Sequence, residues 1–367
     1  MKYRVVNKNA PVQLSLFSDQ IINEFTRHGA RQAPNGDQVN FILNLTSMDQ
    51  PEAGIRKSQA EFIVSVALLN GGNRNLRSAC YTTLIRTLSN ILVCIDPAGN
   101  GADPEAYITT PETGFYHFPF DSGKVYECLL PIIKSRLVIN NLLSSNLPQK
   151  CWKTTPVVEK IKEAGRRLNS LGVLPAPFPL HKVLDRKSLD HLYRLFRMRG
   201  LSYGNFSARE KVPSLDENTF WMTARGVDKA NLKGIGEDIL LVTGYDATDR
   251  YILVSVPPRH NQRARVSVDA IEHALIYQEF SGVGAIVHVH AWIEDVVSTK
   301  QNYPCGTIDL GKQVVELLKQ TPDPDRCAVG LINHGLTITG PDLNDIFDRV
   351  QDRLVKNVPM SDAVCTP

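Results

Sequence analysis

Short apolar runs bounded by turn-forming residues dominate the first third of the chain. The segment 62–69 is a continuous apolar run of strand length, and 39–45 partly alternates apolar with polar side chains. Two further runs bring the predicted strands to 39–45, 62–69, 91–95 and 114–118. Apolar residues at helical spacing predict helices over about 76–90 and about 124–147. These elements together predict an α+β domain.

A proline-rich segment separates this region from the remainder of the chain. Pro175, Pro177 and Pro179 stand at alternate positions. Proline lacks a backbone N–H and blocks both helical and ladder hydrogen bonds, so the segment suits a stiff linker. We therefore expect an N-terminal domain over 1–172, a linker over 173–186 and a second domain over 187–367. Ser188 is placed to cap a helix at the start of the second domain.

The composition is that of a soluble globular protein, with 43% hydrophobic and 22% charged residues among 367. A formal net charge of +3 is too small an excess for a protein built mainly to hold nucleic acid. No apolar run approaches the ~18 residues of a membrane span, and the N-terminus lacks the apolar core of a secretory leader. The seven cysteines are scattered without a CxxC pair, which indicates reduced thiols. We therefore expect a cytoplasmic protein that binds neither nucleic acid nor membrane.

The strongest chemical signal is a pair of histidines in a predicted strand. Small and β-branched residues precede His288 and His290, and Val287 and Val289 alternate with them. Positions i and i+2 of a strand share a face, so the two imidazoles would lie side by side. Such a pair can chelate one divalent cation, with zinc as the favoured ion. The alternative is two unrelated histidines on a polar face.

A third histidine follows another strand signal near the C-terminus. The apolar run 328–332 leads directly into Asn333, His334 and Gly335, and the glycine allows a sharp turn after the imidazole. Three histidine ligands leave a tetrahedral zinc with one open position, which is typical of a catalytic rather than a structural metal. We therefore predict that these three histidines bind Zn²⁺ or another divalent cation. On its own, His334 could equally be a turn residue bonded to local carbonyls.

Two loops ahead of these histidines carry groups suited to an anion. In the first, Gly204 lets backbone N–H groups approach a ligand, while Ser202 and Asn205 add polar contacts and Arg209 adds positive charge. In the second, a predicted strand ends at a turn from which Arg225 can bind a planar oxyanion. Taken alone, the first loop is an ordinary turn signal and Arg225 an ordinary surface charge.

A helix start lies between the second loop and the histidine strand. Ser267 or Asp269 could cap a helix that runs through His273 and Ile276 towards that strand. Without further information, Asp269 is a helix cap and His273 is a helix residue packed against the sheet.

Taken in order, these segments resemble the class II aldolase/adducin family over about residues 186–345. The order is a Gly-Asn-x-Ser loop, a Thr-x-x-Gly turn, a Ser-x-Asp-x-x-x-His segment, an HxH strand and an Asn-His-Gly turn. In this chain the motif residues are Gly204, Asn205 and Ser207; Thr223 and Gly226; Ser267, Asp269 and His273; His288 and His290; and Asn333, His334 and Gly335. No single motif is decisive, whereas five in this order are specific.

The resemblance implies a fold and a set of roles. The fold would be a three-layer α/β/α domain around a mainly antiparallel sheet, preceded here by the separate α+β domain and assembled as a homotetramer with the active site between subunits. His288, His290 and His334 would be the zinc ligands. Asp269 would be the catalytic residue, because it matches an acidic position that is Glu in aldolases and Asp in sugar-phosphate epimerases. The positions that hold the substrate's phosphate are matched by Ser202, Gly204, Asn205, Gly226 and Ser267.

Three departures from the family pattern bear on the site. The common Thr-Pro-Ser-Gly turn carries Ala224 and Arg225 in its centre here, and Val268 stands where a second serine is usual. Two hydroxyls are lost and one guanidinium is gained, so a carboxylate could take the place of the phosphate. Asp269 is one methylene shorter than Glu, so it could coordinate the metal or sit close to it, as in the epimerases, rather than act as a free base.

The implied activity is that of a zinc-dependent lyase of the aldolase type. It would form or cleave a C–C bond in a small anionic hydroxy-carbonyl or sugar-phosphate substrate through a metal-stabilised enediolate. The same chemistry leaves an epimerase, a dehydratase or a decarboxylase on a related compound as alternatives. A non-catalytic scaffold is a further alternative, because the adducins of this family lack the zinc histidines.

Overall fold

The computed structural model describes residues 1–34, 37–55, 62–69, 76–97, 103–111, 115–174, 186, 189–190, 202–215 and 217–359. Within these residues the chain forms two β-sheets, each accompanied by helices. Most of the predicted linker, including its three prolines, and the predicted cap Ser188 lie outside the described residues. None of the helices in the described ranges combines the length and apolar character that crossing a bilayer requires.

The first sheet has the strand order β2-β1-β3-β4-β5-β6-β7. Its strands are β1 (Lys2–Lys8), β2 (Arg31–Gln32), β3 (Phe41–Thr46), β4 (Phe62–Leu68), β5 (Ile91–Asp96), β6 (Glu105–Thr109) and β7 (Phe115–Pro119). Its helices are α1 (Ser15–Arg27), α2 (Leu76–Arg86) and α3 (Ser122–Lys134). The strands from β2 to β5 pair in parallel, and β5, β6 and β7 pair antiparallel. Side chains of α1 and α3 pack on one face, and those of α2 pack on the other.

The strands expected in this region are present as β3, β4, β5 and β7, with their ends shifted by a few residues, but both expected helices are shorter. α2 ends at Arg86, and Leu88 then adopts a left-handed backbone conformation with φ of 55°. α3 ends at Lys134, where Ser135 turns to an extended conformation. The residues that were expected to continue α3 form a strand of the second sheet instead.

The second sheet has the strand order β14-β15-β13-β9-β10-β11-β12-β8. Its strands are β8 (Asn140–Ser144), β9 (Asn205–Arg209), β10 (Phe220–Thr223), β11 (Ile239–Asp246), β12 (Tyr251–Ser255), β13 (Ala285–Val289), β14 (Ala328–Leu331) and β15 (Gly335–Gly340). Its helices are α4 (Pro156–Ser170), α5 (Ala270–Glu279), α6 (Ile308–Lys319) and α7 (Leu343–Val350). Neighbouring strands are antiparallel, except that β8 pairs in parallel with β12 at one edge.

Helices cover both faces of the second sheet because its strands are apolar on both sides. In β10 the neighbouring residues Phe220 and Trp221 are both buried, and they belong to different apolar clusters. The Phe220 cluster includes side chains of α5 and α6, while the Trp221 cluster includes side chains of α4 and α7. A sheet buried on two faces provides a rigid frame for side chains at the ends of its strands.

The chain enters the second sheet well before the domain boundary that we expected at residue 172. β8 pairs with β12 over Asn140–Ser144, and α4 packs against the second sheet. Only residues 135–139 separate the end of α3 from β8. The boundary between the two sheets therefore falls near residue 135. No local pattern in the sequence marks this boundary, because the strand that pairs with β8 is far away in the sequence.

The close packing of α4 makes a testable prediction at Gly165. Alanine is normally favoured over glycine inside a helix by about 1 kcal/mol. Here a Cβ atom on Gly165 would lie 2.0 Å from the backbone oxygen of Lys229. We expect Gly165→Ala to lower the free energy of unfolding by about 1–3 kcal/mol, because the helix has to move away. Urea denaturation measures this, with Gly234→Ala as the control, since no heavy atom lies within 4 Å of that Cβ position. A stabilised Gly165→Ala variant would contradict the packing.

Candidate metal centre

The sheet places His288 and His290 at the end of a central strand. β13 runs antiparallel between β9 and β15, and His288 stands opposite Asn205 on one side and Thr337 on the other. His290 follows the last residue of β13. His288 lies within the strand and is fully buried, whereas His290 lies just beyond the strand end and is half-buried.

The turn between β14 and β15 brings His334 to the same place. Asn333 takes a left-handed conformation with φ of 57°, which asparagine tolerates well. Gly335 follows, and a Cβ atom there would lie 2.3 Å from the backbone oxygen of Val289. Only glycine therefore allows this turn to approach the end of β13 closely enough for His334 to reach the other two histidines.

The three imidazoles form one compact group. Their ligand atoms all lie within 4.8 Å of one another, and the Nε2 atoms of His290 and His334 are 3.2 Å apart. The ring centroids are separated by 5.2 Å for His288–His290, 4.8 Å for His288–His334 and 4.9 Å for His290–His334. The structure thus brings together all three histidines that we predicted as metal ligands.

The protonation states suit a cation. His288 Nδ1 donates to the Leu336 carbonyl oxygen over 3.0 Å, so the lone pair of this ring is on Nε2. That Nε2 atom is buried and has no hydrogen-bond partner among the described residues. Burial lowers the pKa of His288, and it lowers the pKa values of His290 and His334 well below the ordinary histidine value. All three rings are therefore neutral at neutral pH, which metal coordination requires. A divalent cation fits this donor set.

Asp269 lies beside this group without acting as a helix cap. It occupies the N-cap position of α5, but its side chain accepts no capping hydrogen bond in the described part of the chain. Instead, Asn205 Nδ2 donates to Asp269 Oδ2 over 2.6 Å. The second oxygen, Oδ1, is buried and has no hydrogen-bond partner among the described residues. The carboxylate is close enough to His288 to oppose the lowering of its pKa.

The predicted anion loop is held by a residue that the sequence interpretation missed. Lys229 is buried, and its Nζ atom donates to the Ser202 carbonyl oxygen over 2.7 Å. Its backbone N–H donates to Ser202 Oγ over 3.1 Å. Gly204 has φ of +72°, and a Cβ atom there would lie 2.4 Å from the backbone oxygen of His288. The loop is therefore pressed against the histidine strand, with a buried ammonium group next to it.

The second predicted loop meets the start of α5. Arg225 N–H donates to the Arg265 carbonyl oxygen over 2.7 Å, and Ser267 N–H donates to the Thr223 carbonyl oxygen over 3.2 Å. Gly226 completes the turn with φ of 69°. The Arg225 side chain is exposed, and its guanidinium charge interacts with Asp269. Both predicted loops thus reach the carboxylate, one through the Asn205 hydrogen bond and the other through the Arg225 charge.

Two further motif residues stabilise the frame. Ser207 Oγ lies 2.7 Å from His273 Nδ1 and 2.8 Å from the Tyr277 hydroxyl, so the buried His273 packs against the sheet through hydrogen bonds. Arg209 does not contribute charge to the anion loop. Its guanidinium donates to the carbonyl oxygens of Tyr277 and Phe280, where it caps the C-terminal end of α5.

Tyr203 connects the histidine group with the first sheet. The Tyr203 ring lies 5.4 Å from the His290 ring, and Tyr203 packs against the apolar cluster between α2 and the first sheet. No sequence motif predicted this contact of Tyr203.

The buried Lys229 predicts a pH dependence of stability. Burial lowers its pKa to about 8 from the ordinary value of 10.5, although Asp269 and Asp228 partly oppose the shift. Between pH 8 and 10.5 the unfolded chain therefore binds more protons at this residue, so stability rises with pH across that window. We expect the unfolding free energy of the wild type relative to Lys229→Met to increase by roughly 2–3 kcal/mol from pH 8 to pH 10.5. Urea titrations across this range measure it, and a constant difference would contradict the burial.

Comparison with known proteins places these features in context. Residues 188–298 match the family described as the class II aldolase and adducin N-terminal domain. No curated protein is similar enough to this chain to count as a match.

Among solved structures, similar ones include an L-fuculose 1-phosphate aldolase, which is 17% identical over 55% of this chain and 82% of that chain, with a TM-score of 0.36. YgbL from Klebsiella pneumoniae, a putative aldolase/epimerase/decarboxylase, is 16% identical over 53% and 84%, with a TM-score of 0.34. The N-terminal class II aldolase domain of a conserved Thermoplasma acidophilum protein is 14% identical over 56% and 95%, with a TM-score of 0.34. These likenesses are distant and leave the substrate of this chain open.

Proposed function

We propose that the protein is a metal-dependent lyase of the aldolase type, because residues 188–298 match the class II aldolase and adducin N-terminal domain family. Zinc is the proposed metal, and a small anionic hydroxy-carbonyl or sugar-phosphate compound is the proposed substrate. The reaction is the formation or cleavage of a carbon–carbon bond. The helices on both faces of the mainly antiparallel second sheet would correspond to the family's three layers.

One observation carries this proposal. Three imidazoles converge with their ligand atoms within 4.8 Å of one another, and the buried Nε2 of His288 has no hydrogen-bond partner among the described residues. A buried nitrogen lone pair without a donor costs roughly 1–3 kcal/mol, which a bound cation would recover. Three histidine ligands are also the pattern of catalytic zinc rather than structural zinc.

The neighbouring residues support a role in proton transfer. When bound, a divalent cation supplies Lewis-acid polarisation of a substrate carbonyl. Asn205 fixes one oxygen of the Asp269 carboxylate and leaves Oδ1 to accept or return a proton. A positioned carboxylate beside a metal site is a suitable general base near neutral pH. We therefore assign the proton-transfer role to Asp269.

The surrounding charges favour an anionic substrate. The Lys229 ammonium group is buried beside Ser202, and the charges of both Lys229 and Arg225 interact with Asp269. The residues that we propose for holding the substrate belong to the segments next to these two cations: Ser202, Gly204, Asn205, Gly226 and Ser267. Guanidinium and ammonium groups bind carboxylate and phosphate alike, so both remain within the proposed substrate class.

Zinc analysis and a substrate screen together test the proposal. Purified protein should contain about one zinc per chain, and it should release an aldehyde or ketone product from at least one hydroxy-carbonyl acid or sugar phosphate. Epimerisation, dehydration or release of CO₂, in place of an aldehyde or ketone product of aldol cleavage, would favour the alternative enzymes. Stoichiometric metal without turnover of any such compound would favour a scaffold, and protein that cannot bind zinc would overturn the proposal.

The family resemblance also predicts a homotetramer. Residues from a neighbouring subunit would then complete the active site. Sedimentation analysis of the purified protein checks this prediction, because a monomer at working concentration would leave the site without that contribution.

A further inference from the structure

We propose that Cys305 is a fourth protein ligand of the metal, coordinating through its thiolate. The inference rests on the proposed function, since it concerns the same histidine group. No sequence motif pointed to this residue, which is one of seven scattered cysteines. It would make the site a three-histidine, one-cysteine centre in the absence of substrate.

The distances from His334 Nε2 to its two neighbouring ligand atoms support the inference. Its Nε2 atom lies 3.2 Å from His290 Nε2 and 3.5 Å from Cys305 Sγ. In a tetrahedral zinc site, ligand bonds of about 2.0–2.1 Å to nitrogen and about 2.3 Å to sulfur place two nitrogens about 3.3 Å apart and nitrogen and sulfur about 3.5 Å apart. His334 Nε2 therefore has a nitrogen and a sulfur neighbour at the separations expected of ligands to one ion.

The nitrogen of the third histidine points to the same ion. His288 is 1% exposed, and its Nε2 atom has no hydrogen-bond partner among the described residues. This nitrogen belongs to the group whose ligand atoms all lie within 4.8 Å of one another. Cys305 Sγ lies 3.5 Å from His334 Nε2 but does not belong to that group, so the sulfur has to move, by rotation about the Cα–Cβ bond, to reach the ion.

The backbone around Cys305 is fixed, whereas its side chain is half-buried. The Gly306 carbonyl oxygen accepts from Val138 N–H over 2.8 Å, and a Cβ atom on Gly306 would lie 2.4 Å from Ile139 Cγ2. Thr307 caps α6, with its Oγ1 atom accepting from Leu310 N–H over 3.3 Å. With the backbone fixed in this way, rotation about the Cα–Cβ bond of Cys305 is the movement that would bring its sulfur to the ion.

A thiolate ligand has two chemical consequences. Soft sulfur favours zinc over magnesium or manganese, so the metal preference of the site would follow from Cys305. Four protein ligands also complete a tetrahedron, so a substrate would have to displace the thiolate or add a fifth ligand. Metal binding would release the thiol proton to solvent.

Cobalt substitution tests the proposal directly. Thiolate ligation gives Co²⁺ a sulfur-to-metal charge-transfer band in the near ultraviolet, which imidazole and carboxylate ligands do not produce. We expect this band in wild-type protein loaded with one equivalent of Co²⁺, and we expect its loss in Cys305→Ser and Cys305→Ala. Cys327→Ser is the matched control, because Cys327 is also half-buried and lies at the opposite end of β14 from His334.

The outcomes separate this inference from the proposed function. Bound cobalt without the band in wild-type protein, or an unchanged band in both Cys305 variants, would overturn the thiolate ligand and leave the histidine site intact. Failure of wild-type protein to bind cobalt would overturn both. Loss of the band in the Cys305 variants, with circular dichroism unchanged and the band retained in Cys327→Ser, would support the proposal.

Discussion

His288→Ala is expected to abolish stoichiometric metal binding while leaving the chain folded. The substitution removes the imidazole whose Nε2 atom is buried without a hydrogen-bond partner among the described residues. Loss of a coordinating residue should weaken metal affinity by more than the 10–100-fold that is typical of losing a residue behind a ligand. The fold should survive because β13 is paired on both sides through its backbone. Zinc analysis after dialysis against a weak chelator measures the loss.

The control for this variant is His260→Ala. His260 is half-buried, and its Nδ1 atom lies 2.9 Å from the Pro257 carbonyl oxygen, away from the three-histidine group. It should retain zinc at the wild-type level. If His288→Ala kept its zinc, the assignment of all three ligands would be wrong, since the same geometry supports each of them.

Asp269→Asn is expected to lower kcat by about 10²–10⁴-fold on whichever substrate the screen identifies, with zinc content unchanged. The amide keeps the size of the side chain but cannot accept a proton at neutral pH. Asn205 can rotate its own amide to donate or accept, so the substitution should preserve the contact between the two residues. A large loss of turnover without loss of metal would therefore report proton transfer rather than folding.

Two further variants test whether the loss of turnover comes from removing the Asp269 carboxylate. Asp269→Glu restores the carboxylate with one more methylene and should recover part of the activity. Asp352→Asn changes an exposed carboxylate in the C-terminal 3-10 turn and should leave kcat unchanged. If Asp269→Asn turned over at the wild-type rate, the proton would have to move through another group.

Local patterns predicted the strands better than the element ends. Strand-length apolar runs such as 62–69 mark β4 because burial on both faces leaves a continuous apolar sequence. The end of α3 and the start of β8 could not be predicted, since residues beyond Lys134 are apolar enough to continue a helix. Their pairing with β12 involves Tyr251–Ser255, more than a hundred residues away, and this long-range contact decides the conformation.

The residues of the candidate site likewise fall into two groups, those that a local pattern predicted and those whose positions depend on long-range contacts. The alternation of His288 and His290 within a β-branched segment predicted their common face, because strand geometry is local. Lys229 and Cys305 carry no such periodicity. Their positions depend on how the loops after β10 and before α6 fold onto the histidine strand, and no spacing in the sequence encodes that. Asp269 lies between these cases, since its place at the helix start was predicted but its bond to Asn205 was not.

The early entry of the chain into the second sheet determines where a polypeptide that contains only this sheet can begin. A truncated polypeptide starting at residue 187 would lack both β8 and α4. Their removal would strip the hydrogen-bonding partner from β12 and uncover the apolar surface around Trp221. Such an unprotected strand edge next to exposed apolar surface favours self-association, so a polypeptide that contains only the second sheet has to retain the chain from about Leu137 onward.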